Sequence, residues 1–578
     1  MAELKPDKLT IDTRFDSFED TKPLFGKKRG NLPAMGWNSW NAFGSGNTEA
    51  LTKMTADRMV ELGLDKLGYS FVVLDDGCYK QERVDGKLSN EEVKFPSGFK
   101  KLADYIHKKG LKFGMYNDIG TNLCAGAAVG TCGHEADDAK SYIEWEVDFL
   151  KVDNCYYPFD NATFSDPENA RFVFAPNIKG IKVGDKKYGL KDLKAKGRAA
   201  HLQSKGYVNG IGTIDGTGPK YSPTMQASNE LICKVNAKSD TETTISVEYV
   251  TGKRENVGEW LQIAVGEDLI FDGWVPATES EESFVWSRPL KIKLKKGENV
   301  IRLMNHRRQE NTLNSYARLL KQLKEIAPDK DIVYSACEWG KTSPHNWGHK
   351  VCDSWRILND ITFRVGSDGD PGHGDWVSGY TNSVTSQYNK AVVMGEYAGL
   401  DKGWNDPDML MVGMEGLNLA QNKTHFAMWC MMNSPLMLGL DLRRVKKGDE
   451  LYNIIANEEL ISINQDPLGV QARRIFTSTG ASNPVRRYVR DNDRVDILVK
   501  PLEGGKFAVS FINLSDKSKS EGYEADMAYA AKKVNGIKEA KVYEILDVWT
   551  KKTKEAKALK VAKLAPFENV TWIVTPLK

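Results

Sequence analysis

The feature that most constrains this chain is a repeated pattern in which an apolar run ends in an acidic residue and a helix-like segment follows. Between residues 30 and 160 the apolar runs are AMGWNSW, YSFVVLDD, LKFGMYND and VDFLKVDN, and the last three carry an acid at or next to their ends. Strands that alternate with helices are typical of a parallel sheet. A spacing of roughly 35 residues per unit suits a barrel or a doubly wound sheet. The pattern therefore predicts an α/β fold.

One helix is well marked within this region, over the stretch FKKLADYIHKKG. We expect Ser97 to cap its start and Gly110 to end it. Its apolar residues recur at helical spacing and should form one buried face: Phe99, Leu102, Ala103 and Ile106.

The stretch FLKVDNCYY places Lys151 and Asp153 at the end of an apparently buried strand. Charge at such a position is costly unless the strand end opens onto a site, although an isolated pair of this kind is more often a structural ion pair. Other strand ends also carry acids: Asp75, Asp76, Asp118, Glu338, Asp360, Asp406 and Asp408. All strands of a parallel barrel end on one face, which holds the active site, so the acids predict a single polar cup.

Tryptophans stand beside these acids, namely Trp37, Trp40, Trp339 and Trp404. Carboxylates together with flat aromatic faces suit a sugar. Glycoside hydrolysis needs two carboxyl groups across the scissile bond. Lys151 lies on the same side of the strand as Asp153 and is expected to hold that carboxylate ionised, and Arg356 lies four residues before Asp360.

Composition limits the partners. Lys plus Arg at 80 against Asp plus Glu at 78 leaves a net charge of +2, which predicts neither nucleic-acid nor anionic-membrane binding. No apolar run reaches the ~18 residues of a spanning helix. The opening MAELKPDKLTIDTRF lacks the order of a signal peptide; we expect a secreted or periplasmic protein whose leader is not part of this chain, with a cytoplasmic location left open. Oligomeric state is not predicted.

The pattern changes along the chain. Short alternating strands fill residues 165 to 310, and PLKIKLKKGENVIRLMN predicts a hairpin with Leu290, Ile292 and Leu294 on one face. We therefore expect a barrel at 1–160 and 311–465, an inserted β-sandwich at 161–310 and a C-terminal antiparallel β-sandwich at 466–578.

Ten ordered motifs are similar to one known family: GWNSWNAFG, LDDG, LADYIHKKGLKFGMYNDIG, CAG, DFLKVDNC, CEWG, SWRILNDI, GWNDPDML, NSPLMLGLDLR and INQDPLG. They resemble the barrel of glycoside hydrolase family 27, the α-galactosidases and α-N-acetylgalactosaminidases. This resemblance implies a (β/α)8 TIM-type barrel, a C-terminal antiparallel β domain and a retaining exo-glycosidase that releases terminal α-linked galactose without a cofactor.

The resemblance also implies residue roles. Asp153 is the expected nucleophile and Asp360 the expected acid/base, and Cys124 with Cys155 is an expected disulfide. Glu338 favours an unsubstituted 2-hydroxyl, and Asp75 with Asp76 favours galactose through the 4- and 6-hydroxyls. The full set of expected substrate contacts is Trp40, Asp75, Asp76, Tyr116, Lys151, Glu338, Arg356 and Asp408.

Three features depart from the family pattern. Cys78 replaces the usual tryptophan, and residues 44–47 contain no cysteine, so the family disulfide between these loops is expected to be absent. The run at 368–403 matches poorly, on the leaving-group side. The insertion resembles carbohydrate-binding modules of families 6 and 35; sugar binding and a structural lid are both left open, as is a structural calcium ion in it.

Other interpretations are weaker. His345 and His349 with Cys337 and Cys352 resemble zinc ligands, but their segment is a poor helix, so no metal site is predicted. The run NGIGTIDGTG does not satisfy GxGxxG. The remaining alternatives are a β-L-arabinopyranosidase or an isomalto-dextranase of the same family, and a non-catalytic sugar-binding protein on a hydrolase scaffold.

Overall fold

The computed structural model describes residues 22–158, 175–196, 200–202, 206–209, 211, 230–251 and 259–577. Its first part contains four parallel strands that alternate with helices. The strands are β1 (Met35–Asn38), β2 (Phe71–Val73), β3 (Lys112–Asp118) and β4 (Phe149–Asp153). The helices are α1 (Ser39–Phe43), α2 (Glu49–Leu62), α3 (Phe99–Lys108) and α4 (Glu135–Glu144). The four strands lie where the apolar runs of the sequence predicted them.

Helix α3 buries the predicted face, because Phe99, Leu102, Ala103 and Ile106 are all in the core. Its predicted cap is wrong. Gly98 occupies the N-cap position without a side-chain bond, and the Ser97 hydroxyl instead donates to Glu49 Oε1 at 2.6 Å. A buried carboxylate on α2 therefore takes the side chain that would otherwise cap α3.

Two antiparallel sheets follow β4 in the chain and enclose a core of their own. Their strands are β5 (Asn177–Val183), β6 (Lys186–Tyr188), β7 (Leu193–Lys196), β8 (Ala200–Leu202), β9 (Tyr207–Asn209), β10 (Glu230–Ala237), β11 (Thr241–Val250), β12 (Glu259–Val265), β13 (Asp268–Val275), β14 (Val285–Trp286), β15 (Leu290–Leu294) and β16 (Gly297–Met304). One sheet has the order β13-β12-β16-β10-β7, and the other has β14-β11-β5-β9-β8, with β15 on β11 and β6 on β5.

The predicted hairpin over residues 289–305 is wrong in its pairing. β15 pairs with β11 and β16 pairs with β10 and β12, so the two strands belong to opposite sheets. Ile292 and Leu294 still point into the shared core, as do Ile301 and Leu303. Both strands bury their apolar residues against the same interior from opposite sides, which an alternating pattern alone does not distinguish from a hairpin.

The second half of the barrel has strands β17 (Val333–Cys337), β18 (Ser354–Arg356), β19 (Trp404–Asp406) and β20 (Leu436–Leu438) and helices α5 (Arg307–Ile326), α6 (Val384–Ala391), α7 (Leu419–Met431), α8 (Glu450–Ile455) and α9 (Glu458–Asn464). The eight parallel strands run in the order β19-β18-β17-β4-β3-β2-β1-β20. The circle closes beyond β19, where the Leu410 amide donates to Met437 O at 2.8 Å. The result is the predicted (β/α)8 TIM-type barrel.

The C-terminal part is antiparallel and has a separate core. Its strands are β21 (Arg473–Thr477), β22 (Val495–Pro501), β23 (Phe507–Asn513), β24 (Tyr523–Glu524), β25 (Val542–Asp547), β26 (Thr553–Ala556), β27 (Lys560–Val561) and β28 (Asn569–Leu577), with one helix, α10 (Met527–Lys533). Six of them form a sheet in the order β21-β22-β23-β28-β25-β26. Asp496 on β22 lies between Arg474 and Arg494 and accepts a bond from Tyr388 on α6, which links this domain to the barrel.

Among the residues that the structure describes, no helix has the length and apolar character needed to cross a membrane.

Candidate active site

The carboxyl ends of the barrel strands surround a pocket. Nine of the ten predicted catalytic and substrate-contact residues line it, with four others. The lining residues are Trp40, Asn41, Asp75, Asp76, Tyr116, Cys124, Lys151, Asp153, Trp339, Arg356, Asp360, Asp408 and Met409. Side chains from strand ends far apart in sequence therefore meet in one polar cup, because the parallel barrel brings those ends to one face.

Asp153, the last residue of β4, lies in the wall of this pocket. Its Oδ2 accepts a hydrogen bond from the Tyr116 hydroxyl at 3.1 Å. Its Oδ1 is buried, with the Lys151 ammonium 3.8 Å away. One oxygen is therefore held by the Tyr116 hydroxyl, and the other lies beside the Lys151 ammonium.

The sequence suggested that Lys151 pairs with Asp153, but its main partner is Asp75. Its ammonium lies 2.8 Å from Asp75 Oδ2, an ångström closer than to Asp153. Burial raises the pKa of Asp153 to about 7, and the positive charge of Lys151 opposes this rise without cancelling it. The pKa of Asp153 is therefore raised by burial, and Lys151 limits the rise while the charge of Asp75 adds to it.

Asp75 and Asp76 follow β2 and are held by a dense set of donors. Asn38 Nδ2 donates to Asp75 Oδ2 at 2.8 Å, and the amide of Ala125 donates to Asp76 Oδ2 at 2.8 Å. Burial raises the pKa of Asp76, with the charge of Asp75 adding to the effect. The two carboxylates are thus fixed acceptors at the inner end of the pocket.

Arg356, at the end of β18, joins two carboxylates of the opposite wall. Its Nη2 lies 2.9 Å from Asp360 Oδ1 and 2.8 Å from Asp408 Oδ2. Asp408 also accepts from the amide of Ile361, at 2.7 Å, next to Asp360. The φ of Asp408 is 78°, a strained value for a non-glycine residue that persists where the surroundings impose it. These bonds position Asp360.

Exposure differs along the pocket and defines its mouth. The side chain of Asp75 is 3% exposed and that of Asp153 is 8% exposed. The side chain of Asp360 is 31% exposed. A ligand must therefore enter past Asp360 and reach Asp75 at the inner end.

A disulfide joins Cys124 and Cys155, with their Cα atoms 5.2 Å apart, as the resemblance implied. It ties the loop after β3 to the loop after β4, and Cys124 lines the pocket. Asp118 braces the same region from behind, because its Oδ2 accepts from the amide of Cys155 at 2.7 Å. Burial raises the pKa of Asp118 to about 8. Asp118 does not line the pocket, so this strand-end acid supports the loop at Cys155 rather than contacting a ligand there.

Glu338 is the one expected substrate contact that does not line the pocket. It is fully buried, and its Oε2 accepts from the amide and the hydroxyl of Thr342 at 2.7 and 2.6 Å. Its expected contact with the 2-hydroxyl remains a prediction. Asp406 likewise lies beneath the pocket, in an adjoining cavity that also contacts Lys151 and Arg356.

Two of the four predicted stacking tryptophans are core residues. Trp37 and Trp404 are buried, and their indole N–H groups donate to the carbonyls of Leu440 and Asn31. Trp40 and Trp339 do line the pocket. Sequence reasoning missed Asn41 and Met409; both lie within matched motifs, GWNSWNAFG and GWNDPDML, which was the available signal.

The loops that lack the family disulfide are tied differently. Cys78 is a free buried thiol, and the loops approach so closely that a Cβ on Gly77 would lie 2.7 Å from Ser45. Lys94 donates to the carbonyls of both, at 3.0 Å to Ser45 and 2.6 Å to Gly77. An ammonium group therefore bridges these two rim loops.

Comparison with known proteins agrees with this geometry. The family model described as Alpha galactosidase A matches residues 32–172 and 302–466, more than half of the chain. The chain belongs to this α-galactosidase family, glycoside hydrolase family 27. The model described as Alpha galactosidase C-terminal beta sandwich domain matches residues 492–574. The protein is a glycoside hydrolase, and both the barrel and the C-terminal domain are those of the α-galactosidase family.

Individual relatives are similar over nearly the whole chain. The "Alpha-galactosidase" of Oryza sativa subsp. japonica is 25% identical over 565 residues, which cover 97% of this chain and 89% of the relative. The "Alpha-galactosidase" of Zygotorulaspora mrakii is 28% identical over 541 residues, 92% of this chain and 81% of the relative. The crystal structure of alpha-galactosidase I from Mortierella vinacea shares the fold, with a TM-score of 0.59, 22% identity and coverage of 94% and 97%.

The α-galactosidase model stops at residue 172 and resumes at 302; strands β5 to β15 lie between these positions, and β16 spans the point where the match resumes. The resemblance of this region to a carbohydrate-binding module remains a prediction, as does a structural calcium ion in it.

Proposed function

We propose that this protein is a retaining exo-α-galactosidase that removes terminal α-linked galactose from oligo- or polysaccharides. The observation that carries the proposal is the pairing of two carboxylates in one pocket with opposite environments. Asp153 is buried beside Lys151, whereas Asp360 stands at the mouth beside Arg356. Hydrolysis with retention requires such a pair, one carboxylate to attack and one to exchange protons.

In the first step an oxygen of Asp153 attacks the anomeric carbon of the bound sugar. The bond between that carbon and the glycosidic oxygen breaks, and Asp360 gives its proton to the departing oxygen. A β-linked glycosyl-enzyme results. Water then gives a proton to Asp360 and attacks the same carbon, which releases α-galactose and restores the Asp153 carboxylate. The Tyr116 hydroxyl and Lys151 position and stabilise that carboxylate in both steps.

Galactose specificity is supported by the inner end of the pocket. Asp75 and Asp76 are fixed acceptors there, suited to the 4- and 6-hydroxyls, and Trp40 offers a ring face to the sugar. The curated relatives named above are called α-galactosidases. An exo mode fits the exposure gradient, because only the end of a chain can reach the buried Asp75 past Asp360.

The proposal is tested by hydrolysis of p-nitrophenyl α-galactoside, β-L-arabinopyranoside, α-N-acetylgalactosaminide and α-glucoside, with proton NMR of the first-formed anomer. Release of α-galactose is expected. Asp153→Ala and Asp360→Ala should each abolish this activity while thermal melts show that folding survives. Full activity in either variant, or β-galactose as the first product, would overturn the mechanism. Preferential hydrolysis of another glycoside in the panel would show that the protein has the activity of a different member of the family.

We also propose that the protein works in an oxidising compartment, secreted or periplasmic. The disulfide between Cys124 and Cys155 supports this, since such bonds persist where thiols are not kept reduced. Mass spectrometry of the protein isolated from its native source after thiol blocking tests it. Two blocked cysteines at positions 124 and 155 would contradict the proposal.

A further inference from the structure

The segment that carries Asp360 also carries two aromatic side chains that lie in solvent. Phe363 is 66% exposed and Tyr380 is 57% exposed. They are the most exposed aromatic rings in the described part of the chain, where the next ones are only 37% exposed. Single exposed apolar residues are common on protein surfaces, so the meaning of these two depends on their position relative to the pocket.

One ring is hydrogen-bonded to the residue before Asp360, and the other follows Asp360 closely in the chain. The Tyr380 hydroxyl accepts a hydrogen bond from Asn359 Nδ2 at 3.2 Å, and Asn382 Nδ2 donates to the carbonyl of Asp360 at 2.6 Å. Phe363 follows Asp360 by three residues, so their Cα atoms are at most about 11 Å apart. Both residues therefore lie near Asp360, outside the residues that line the pocket itself.

Charged groups flank the rings. Arg364, next to Phe363, forms an ion pair with Asp375, and His373 lies 3.5 Å from the same carboxylate. These side chains are partly exposed. Aromatic faces with hydrogen-bonding groups beside them match a pyranose ring, which has apolar C–H faces and hydroxyls around its edge.

The direction of substrate entry assigns this surface to one side of the scissile bond. The terminal galactose occupies the inner end, near Asp75, and the proton donor stands at the mouth. The departing oxygen therefore lies beside Asp360, and whatever is attached to it leaves the pocket on the side of Asp360.

We propose that Phe363 and Tyr380 form a platform that binds the sugar ring on the leaving-group side, so that the enzyme prefers saccharide leaving groups over small ones. The occupant is a pyranose rather than a protein partner, because both residues lie near the proton donor and charged side chains flank Phe363. This inference rests on the proposed function, since it takes Asp360 as the proton donor. It adds specificity residues from a segment where the family pattern is weak.

The test compares melibiose, whose leaving group is a sugar, with α-galactosyl fluoride, whose leaving group cannot reach the platform. Phe363→Ala and Tyr380→Ala are each expected to lower kcat/KM for melibiose about threefold to tenfold, the usual effect of one aromatic contact. Hydrolysis of the fluoride should stay within about twofold of wild type. Tyr380→Phe keeps the ring and should retain most of the melibiose activity.

Phe476→Ala is the matched control, because Phe476 is also an exposed phenylalanine but lies on β21 of the C-terminal domain. This variant should hydrolyse both substrates as wild type does. Equal losses on both substrates would show that the rings merely support the site, and unchanged melibiose hydrolysis would show that they bind nothing; either result overturns the inference. Failure of the proposed function is distinguishable, since wild type itself would then not hydrolyse the fluoride.

Discussion

The charge relation between Lys151, Asp75 and Asp153 makes a prediction about pH that can be worked out from the structure. Asp153 must be ionised to attack, and burial raises its pKa to about 7. The acidic limb of kcat/KM reports the free enzyme's essential base. Wild-type activity should therefore fall as the pH drops through about 7. Replacing Lys151 by methionine removes a cation that lowers the pKa of Asp153, so the limb should move to higher pH.

The size of the shift follows from the 3.8 Å between Lys151 Nζ and Asp153 Oδ1. Coulomb's law gives about 1 kcal/mol at that distance in water and about 4 kcal/mol at an effective dielectric constant near 20. At 1.36 kcal/mol per pKa unit, the acidic limb of Lys151→Met should rise by about 1 to 3 pH units. The absolute kcat/KM will also fall, because Lys151 lines the pocket.

The matched variant is Asp75→Asn, which should shift the limb the opposite way. The negative charge of Asp75 raises the pKa of Asp153, and Asp75 also holds the Lys151 ammonium at 2.8 Å. Removing the Asp75 charge lowers the pKa of Asp153 directly, and it also frees the Lys151 ammonium to pair with Asp153. The assay is kcat/KM for p-nitrophenyl α-galactoside from pH 4 to 10. If both variants moved the limb in one direction, or neither moved it, the electrostatic reasoning would be refuted.

Three further predictions concern stability. Asp153→Asn should be inactive, yet at pH 8 its free energy of unfolding should exceed that of wild type by up to about 4 kcal/mol. The reason is that a carboxyl group whose pKa is raised by folding destabilises the folded state at any pH above its unfolded pKa. Urea unfolding at pH 8 and at pH 4 checks this, since the gain should vanish at pH 4. Cys155→Ser should lower the free energy of unfolding by about 3 to 4 kcal/mol, as opening a disulfide across 31 residues implies, and unchanged urea midpoints would contradict it. Asp496→Asn leaves Arg474 and Arg494 buried without their carboxylate and should lower the free energy of unfolding by about 3 to 5 kcal/mol. Urea unfolding at pH 7 measures this, with a substitution of an exposed residue, Asp185→Asn, as the control.

Most of the pocket could be predicted because its residues lie at strand ends within the motifs that resemble glycoside hydrolase family 27. A parallel barrel brings these strand ends together on one face. Burial and orientation could not be predicted. Trp37 and Trp404 occupy motif positions like that of Trp40, yet their N–H groups are used by backbone carbonyls in the core. The turn of Glu338 towards Thr342 and the preference of Lys151 for Asp75 depend on packing between distant segments. Such contacts leave no periodic signal in the sequence.

The structure also explains how a large insertion can follow the nucleophile strand directly. The chain leaves β4 after Asp153 and returns to the barrel at α5, and cross-links join the two points. The Tyr157 hydroxyl donates to the carbonyl of Asn311 at 3.0 Å, and the Tyr316 hydroxyl donates to the carbonyl of Val152 at 2.8 Å. The disulfide at Cys155 fixes the strand end from the other side. Because Asp153 is held by barrel contacts on both flanks, motion or exchange of the inserted sheets need not displace the carboxylate, which is why this loop tolerates an insertion at a site where small shifts would be costly.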